Sequence, residues 1–320
     1  MIKQRFEMSS DGMSHGREMD RSRTRLQTSK HVSPATDSLW ARETIGYITA
    51  RQNCDGGYTF CQYTVSNAQD TFFALGILKL LDSSFPNVQL TIKWLREFPC
   101  YSLRSHYYVA KALGVLGKER KTELRKLVRG SELLFETFDF YVAVASEFET
   151  AFMITELINI GKIRVGHEKA VNQLLRYRNA DGGFGIRGWS NLNSTYHAVS
   201  SLFNLGYHVS SLKNTVRYVK SCEKSSGGFT MTPSSSPPHM EHTYYGVSTL
   251  DLLGKSPQYP QRVARFVHMC QQGNGGFARA EFGISTFEDT FYAVNVLRKI
   301  DRLKNQAAKP FRFKLGRRRR

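Results

Sequence analysis

Residues 271–301 read QQGNGGFARAEFGISTFEDTFYAVNVLRKID, and this stretch combines the two patterns that decide the fold. The first pattern is a Gly-Gly-aromatic turn at Gly275, Gly276 and Phe277, and the second is an apolar segment that begins at Asp289 and Thr290. A polar residue followed by Thr is typical of a helix N-terminus, where side-chain oxygens satisfy free backbone N–H groups. The stretch therefore predicts a tight turn that leads into a buried helix.

Both patterns recur along the chain. Earlier copies of the turn read QNCDGGYTF (52–60), RNADGGFGI (178–186) and EKSSGGFTM (223–231). The long gap between the first two copies leaves room for two degenerate repeats, whose second patterns are RSHYYVAKALGVLG (104–117) and FETAFMITELINIG (148–161). We expect helices at 88–98 and 123–134 in front of them. Repeats of this length indicate an array of identical supersecondary units.

Each repeat is interpreted as two helices. The second pattern is apolar on nearly all sides and predicts a buried inner helix, whereas the segment before each turn has one apolar stripe and predicts an outer helix. The residue that opens the second pattern forms a column through the six repeats: Asp70, Ser105, Glu149, Ser194, His242 and Asp289. Open arrays need polar capping repeats, and here the first and last repeats are the best copies. The sequence therefore predicts an all-α fold, in which six helix pairs close into an α6/α6 barrel over residues 38–301.

The flanking segments carry much of the formal net charge of +18. We interpret residues 1–37 as a disordered N-terminal segment and residues 302–320 as a basic C-terminal tail. The aromatic residues occupy buried repeat positions rather than an exposed basic face, which argues against nucleic acid as a partner. No apolar run is long enough to cross a bilayer, and the N-terminus lacks the apolar core of a secretory signal. These features predict a cytoplasmic protein.

The QxxDGGF turn and the [DH]-T-[FY] helix start resemble the repeat of the α/α toroids, the superfamily of protein prenyltransferase β subunits and class II terpene cyclases. The resemblance covers residues 38–301. It implies an enzyme that binds an isoprenoid diphosphate in the central cavity of the ring and transfers the prenyl group to an acceptor. It also implies a helical partner subunit.

The inner helices would direct their N-termini to one end of the ring, where free N–H groups favour an anion such as a diphosphate. Aromatic residues follow within the first turns and could hold an apolar chain or stabilise a carbocation; filling the barrel core would be their other role. An arginine matches one position of the family's basic diphosphate pair. The substrate-binding residues that we predict are Phe72, Arg187, Tyr196, Tyr244, Tyr245, Phe291 and Tyr292.

The resemblance also implies a zinc ion held by Asp, Cys and His, which would present a thiolate to the prenyl carbon. Two registers place these ligands at Glu241, Thr243 and Asp289, or one repeat earlier at Asn193, Thr195 and His242. Neither register contains the cysteine. Glu241, His242 and Asp289 remain candidates for a divalent metal site, with exposed helix caps as the alternative interpretation. No other cofactor is predicted.

Class II cyclases protonate their substrate with an acid of an Asp-x-Asp-Asp-Thr motif. The segment Thr286–Thr290, TFEDT, keeps the last two acids and has Glu288 at the proton-donor position. Glu288, Asp289 and His242 are the catalytic residues that we predict. Two alternatives to prenyl transfer therefore stay open: a small cyclase-like enzyme that uses Glu288 and Asp289, and a non-catalytic toroid that binds a lipid or a protein.

Overall fold

The computed structural model describes residues 38–119, 122, 146–163 and 168–307. The predicted segment 1–37, the helix expected at 123–134 and residues 308–320 of the predicted tail lie outside these ranges. The outer helices that are described are α1 (Leu39–Thr49), α3 (Val88–Glu97), α6 (Glu168–Leu175), α8 (Lys213–Ser221) and α10 (Pro260–Met269). The inner helices are α2 (Ala68–Leu80), α4 (Leu103–Val115), α5 (Ser146–Gly161), α7 (Leu192–Asn204), α9 (Met240–Leu252) and α11 (Phe287–Ala307). A 3-10 turn at Val209–Ser211 precedes α8, and the strands β1 (Phe277–Ala278) and β2 (Ser285–Thr286) pair antiparallel in front of α11.

The six inner helices form a closed ring. Each packs along the next in the order α2, α4, α5, α7, α9, α11, and α11 then packs against α2. At this last contact a Cβ on Gly76 would lie 2.7 Å from the ring of Phe291, so glycine permits the close approach. Arg298 of α11 pairs with Asp82 after α2, with 3.3 Å between Nη2 and Oδ2. The predicted α/α toroid is therefore confirmed.

One hydrogen bond ties the two sequence patterns of a repeat together. The backbone N–H of Phe277, which ends the turn, donates to Thr290 Oγ1 on α11 at 2.9 Å. The first, fourth and fifth repeats make the same bond at 3.0 Å, from Tyr58 to Thr71, from Phe184 to Thr195 and from Phe229 to Thr243. All four threonines are fully buried. The Thr of each helix start thus accepts a buried donor of the turn, which would otherwise be unpaired at a cost.

A second bond ties three of these four turns to the next outer helix. Thr91 of α3 donates to the carbonyl of Gly56 at 2.7 Å, and Thr215 of α8 donates to that of Gly182 at 2.7 Å. The turn of the last repeat uses the first helix instead, because Thr44 of α1 donates to Gly275 O at 2.9 Å. The last turn is therefore joined to the first outer helix by the same kind of bond that joins the turns at Gly56 and Gly182 to the outer helices that follow them.

The repeat register is corrected in one place. Glu149 and Phe152 line the centre of the ring from α5, as Gln69 and Phe72 do from α2. The residue equivalent to Asp70 is therefore Thr150, one position after the predicted Glu149. Like the second repeat, the third lacks the Gly-Gly turn that sets the register in the other four repeats. Among the helices of the described ranges, none is long and apolar enough to cross a membrane.

Candidate functional site

A cavity of about 600 Å³ occupies the centre of the ring, within the usual range of small-molecule sites. The inner helices line it at the same repeat positions, spaced by three, four and seven residues, which is the spacing of one helix face. We call the first position the mouth level: Gln69, Arg104, Glu149, Asn193, Glu241 and Glu288. The next two positions form the aromatic level: Phe72, Phe73, Tyr107, Tyr108, Phe152, Met153, Tyr196, His197, Tyr244, Tyr245, Phe291 and Tyr292. One turn further is the base level: Lys111, Glu156, Ser200, Ser248 and Asn295.

The aromatic level is a continuous belt of rings. The ring centroids of Phe72 and Phe291 are 5.5 Å apart across the α2–α11 contact, which completes the circuit. Tyr244 stacks on Tyr292 at 4.5 Å, and Tyr196 stacks on Tyr245 at 4.6 Å. The six aromatic residues that were predicted to bind substrate, Phe72, Tyr196, Tyr244, Tyr245, Phe291 and Tyr292, all line this cavity.

Glu288 lies in the first turn of α11, between the central cavity and a second one. The hydroxyl of Tyr292 donates to its Oε1 at 2.9 Å. Burial raises the pKa of the Glu288 carboxyl, and the bond from Tyr292 opposes part of that rise. Glu241, at the same level, accepts a bond from Asn193 Nδ2 at 3.4 Å, and burial likewise raises its pKa. The mouth therefore holds carboxyl groups that are biased toward the neutral form.

Asp289 lines the second cavity, which has a volume of about 550 Å³ and adjoins the mouth between α2, α4 and α11. Thr286 caps α11: its Oγ1 donates to Asp289 Oδ2 at 2.8 Å and accepts from the Asp289 backbone N–H at 3.0 Å. Burial raises the pKa of Asp289 to about 6 despite this bond. The two cavities meet at four side chains that line both, namely Gln69, Arg104, Tyr108 and Glu288.

Arg104 carries the positive charge of the mouth level. Its Nη2 lies 2.6 Å from Glu149 Oε1, in a half-exposed ion pair between α4 and α5. The other charged groups at this level are the carboxyl groups of Glu149, Glu241 and Glu288. The mouth thus offers more acidic than basic groups.

The comparisons with known proteins agree with this architecture. The family model of the prenyltransferase alpha-alpha toroid domain matches residues 12–123 and 102–318. The chain belongs to this toroid family. No curated protein matches its sequence.

Solved structures share the toroid fold at low sequence identity. Candida albicans protein geranylgeranyltransferase-I complexed with GGPP has a TM-score of 0.64 and 14% identity, over 84% of this chain and 93% of that chain. A type II terpene cyclase from Scytonema, in complex with the substrate geranylgeranyl dihydroxybenzoate, has a TM-score of 0.59 and 13% identity, over 84% and 99%. A protein from Actinoplanes has a TM-score of 0.50 and 16% identity, over 82% and 98%. At these identities the likeness shows the fold alone.

Glu241, His242 and Asp289, the predicted metal ligands, occupy different places in this toroid. Glu241 lines the central cavity and Asp289 the second one, whereas His242 lines neither. The buried His242 ring lies against His239, with centroids 5.6 Å apart, and burial, His239 and Arg279 lower its pKa to about 4. Within the described ranges, no group of three or more His, Cys, Asp or Glu side chains could hold a metal ion. The structure does not gather the three residues into one ligand set, and we derive no chemistry through a metal.

Arg187, the predicted diphosphate ligand, lies on the exposed turn before α7, where its φ is 52°. It lines neither cavity. The structure therefore does not bring Arg187 together with the aromatic residues that were predicted to share its substrate.

Sequence reasoning missed the polar base of the cavity. Lys111 Nζ pairs with Glu156 Oε2 at 2.5 Å, and Asn204 donates to the other oxygen of Glu156 at 3.0 Å. His197 was also missed; it is buried at the aromatic level, and desolvation lowers its pKa to about 3. The base residues could have been found from the sequence, because they lie seven residues after the mouth level on the same helix face. Lys111 follows Arg104 at this spacing, and Glu156 follows Glu149.

Proposed function

We propose that the central cavity binds the hydrocarbon chain of an isoprenoid, and that Glu288 starts a reaction by protonating a double bond of that chain. The observation that carries this proposal is the position of Glu288. It is a carboxyl group with a raised pKa, at the mouth of the cavity and one helical turn from the aromatic belt. The sequence left two alternatives to prenyl transfer open, and this proposal is the cyclase-like alternative.

The surroundings of Glu288 suit a proton donor. A general acid must carry a proton when it acts, and burial shifts the pKa of Glu288 in that direction. The neighbouring Asp289 and Glu241 raise the pKa of Glu288 further, because their negative charges disfavour another one. Since Oε1 accepts the bond from Tyr292, the acidic proton belongs on Oε2.

The reaction is an isomerisation. The O–H bond of Glu288 breaks, and the π electrons of a trisubstituted alkene form a new C–H bond, which leaves a tertiary carbocation and the Glu288 carboxylate. A second alkene of the folded chain attacks the cation and closes a ring. Loss of a proton from a neighbouring carbon to water then restores a double bond, and the Glu288 carboxylate takes up a proton from water.

The aromatic level would stabilise the cation. Ring faces attract positive charge through their quadrupoles, most strongly where water is excluded. The aromatic belt already contacts one positive charge, at the side that faces the base level. There Lys111 Nζ lies 5.4 Å from the ring centroid of Phe72 and 5.7 Å from that of Tyr107. A carbocation formed near Glu288 would have Phe291 and Tyr292 one turn away on the same helix.

Prenyl transfer from an isoprenoid diphosphate is the second candidate. The inner-helix N-termini at the mouth support it, and the Candida albicans relative is complexed with GGPP. The shortage of cations weighs against it, because Arg104 is the one basic side chain at the mouth level of the described inner helices, and it is already paired with Glu149. In this candidate Arg104 replaces Arg187 as the anchor of the anion.

The test is turnover by the full chain, with Glu288→Gln as the variant. Geranylgeraniol, geranylgeranyl acetate and geranylgeranyl diphosphate are supplied separately, and products are separated by gas chromatography and mass spectrometry after removal of phosphate. We expect a cyclic isomer of at least one substrate and a loss of at least a hundredfold in rate for Glu288→Gln. Glu281→Gln is the matched control, since Glu281 is exposed on the loop before α11.

The outcomes separate the candidates. Cyclic product with unchanged rate in the presence of EDTA supports protonation by Glu288. Release of diphosphate that depends on an added thiol or amine acceptor, and that is abolished by EDTA, supports prenyl transfer through a bound metal and contradicts our proposal. Binding of all three compounds without turnover leaves the non-catalytic toroid.

A further inference from the structure

The large apolar side chains that the described ranges leave exposed are concentrated around the mouth of the cavity. We call this set the mouth rim. It comprises Phe60, Tyr63, Val65, Tyr101, Trp189, Met231, Phe282 and Ile284. They come from all five described loops that lead into an inner helix.

Each rim residue is held near the N-terminus of an inner helix. Tyr101 precedes α4 by two residues, and Trp189 precedes α7 by three. The carbonyl of Met231 accepts the backbone N–H of Leu192, the first residue of α7, at 2.8 Å. Phe60 itself lines the second cavity. The rim therefore surrounds the same end of the ring as the mouth level.

Most of the rim side chains project from the protein instead of packing into a patch. Tyr63 is fully exposed, and Tyr101, Phe282 and Trp189 are 92%, 91% and 81% exposed. The core of a protein–protein interface is a contiguous, preformed surface. Isolated aromatic tips on separate loops, by contrast, can each enter a fluid lipid interface without a matching shape.

Positive charge accompanies these tips. Arg187 is exposed two residues before Trp189, and Arg279 is exposed three residues before Phe282. The whole chain has a formal net charge of +18, so an anionic surface attracts it. The mouth carboxyl groups of Glu241 and Glu288 are recessed behind the rim and biased toward the neutral form by burial, which weakens their repulsion.

We infer that the mouth rim docks onto the surface of an anionic lipid bilayer, with aromatic side chains at the headgroup level and arginines on lipid phosphates. The contact is peripheral, and it brings the opening of the cavity against the bilayer. It would allow a long apolar ligand to pass between the bilayer and the cavity. The docking itself does not depend on the reaction proposed for Glu288.

The test is co-sedimentation of the full chain with vesicles of phosphatidylcholine alone and of phosphatidylcholine with phosphatidylglycerol. The rim variant replaces Tyr63, Tyr101, Trp189 and Phe282 by Ser. The matched control replaces Leu39, Tyr259 and Met269 by Ser, which are exposed apolar residues at the outer helices. Circular dichroism and thermal melting establish that both variants fold. We expect the wild-type chain and the control to bind the anionic vesicles, and the rim variant to bind at least tenfold more weakly.

Trp189 supplies an independent readout. Its fluorescence should shift to shorter wavelength on binding, and lipids brominated in the acyl chain should quench it. The variant Trp189→Tyr measures the fluorescence that comes from Trp40 and Trp94 alone. Vesicle binding that is equal in the rim variant and is removed by about 0.5 M salt would assign the contact to charge alone and overturn the proposal. Absence of vesicle binding, or a rim-dependent dimer in place of it, would overturn it as well.

Discussion

At the scale of single residues, the site depends on carboxyl groups that the fold partly buries. Glu288 and Asp289 are adjacent in the chain but face different surroundings, one bonded by Tyr292 and the other by Thr286. A buried carboxyl group with a raised pKa is a cost to the folded state at neutral pH. Such a cost at the mouth of a cavity is typical of a functional group rather than of a structural cap.

Asp289→Asn should stabilise the protein, and more so at high pH. Burial raises the pKa of Asp289 from 3.8 to about 6, so the folded chain binds more protons than the unfolded chain between these values. The stability of the wild type therefore falls as the pH rises through this window. We expect the gain in unfolding free energy for Asp289→Asn to be larger at pH 8 than at pH 5 by about 1 kcal/mol. Chemical denaturation at the two pH values measures it.

Asp181→Asn is the control for that experiment. Asp181 Oδ1 accepts the N–H of Gly183 at 2.9 Å, and in the last repeat Asn274 makes the equivalent bond to Gly276 at 3.0 Å. The substitution is therefore compatible with the turn. A stabilisation by Asp289→Asn that is the same at both pH values would contradict the raised pKa.

At the scale of elements, the Gly-Gly turn acts as the joint between repeats. Its first glycine has a positive φ and touches the next outer helix, and the last turn touches α1. The sequence predicted this turn and the inner helices correctly because both recur. It did not predict that the Thr of each helix start accepts the N–H of the turn; that Thr was interpreted as a cap and, in two repeats, placed on a ligand position.

Gly275→Ala should weaken ring closure. A Cβ at this position would lie 2.3 Å from the carbonyl oxygen of Glu43, and φ is +88°. Gly254 has a φ of +68° with nothing within 4 Å of the added Cβ, so Gly254→Ala measures the backbone strain alone. We expect a loss of about 1 kcal/mol for Gly254→Ala and of about 3 kcal/mol or more for Gly275→Ala. Equal losses in chemical denaturation would show that the α1 contact yields without cost.

At the scale of the whole molecule, repeated and unrepeated features differ in how well the sequence predicts them. The inner helices and the aromatic residues that line the cavity occupy equivalent positions in every repeat. The repeat period and the polar-to-apolar pattern were therefore sufficient to predict them. The pairs Arg104–Glu149 and Lys111–Glu156 join the two degenerate repeats, where no turn motif sets the register. Arg187 was placed by analogy with a family motif, and the folded chain leaves it on an exposed turn.

The described part of the chain is a ring with an aromatic-lined cavity, carboxyl groups at the mouth of that cavity, and an apolar rim at the same end. The central cavity and the second cavity meet at Gln69, Arg104, Tyr108 and Glu288. An apolar chain fits this site better than a diphosphate does, because Arg104, the one basic side chain at the mouth level of the described inner helices, is already paired with Glu149.

The most direct test of this account is turnover in heavy water. The full chain is incubated with geranylgeraniol or its acetate in D₂O, and the product is analysed by mass spectrometry and by NMR. If Glu288 protonates the chain, the cyclic product contains one deuteron at the carbon that was protonated and is one mass unit heavier than the substrate, and Glu288→Gln forms none. A product without deuterium, or one formed equally well by Glu288→Gln, would contradict the account.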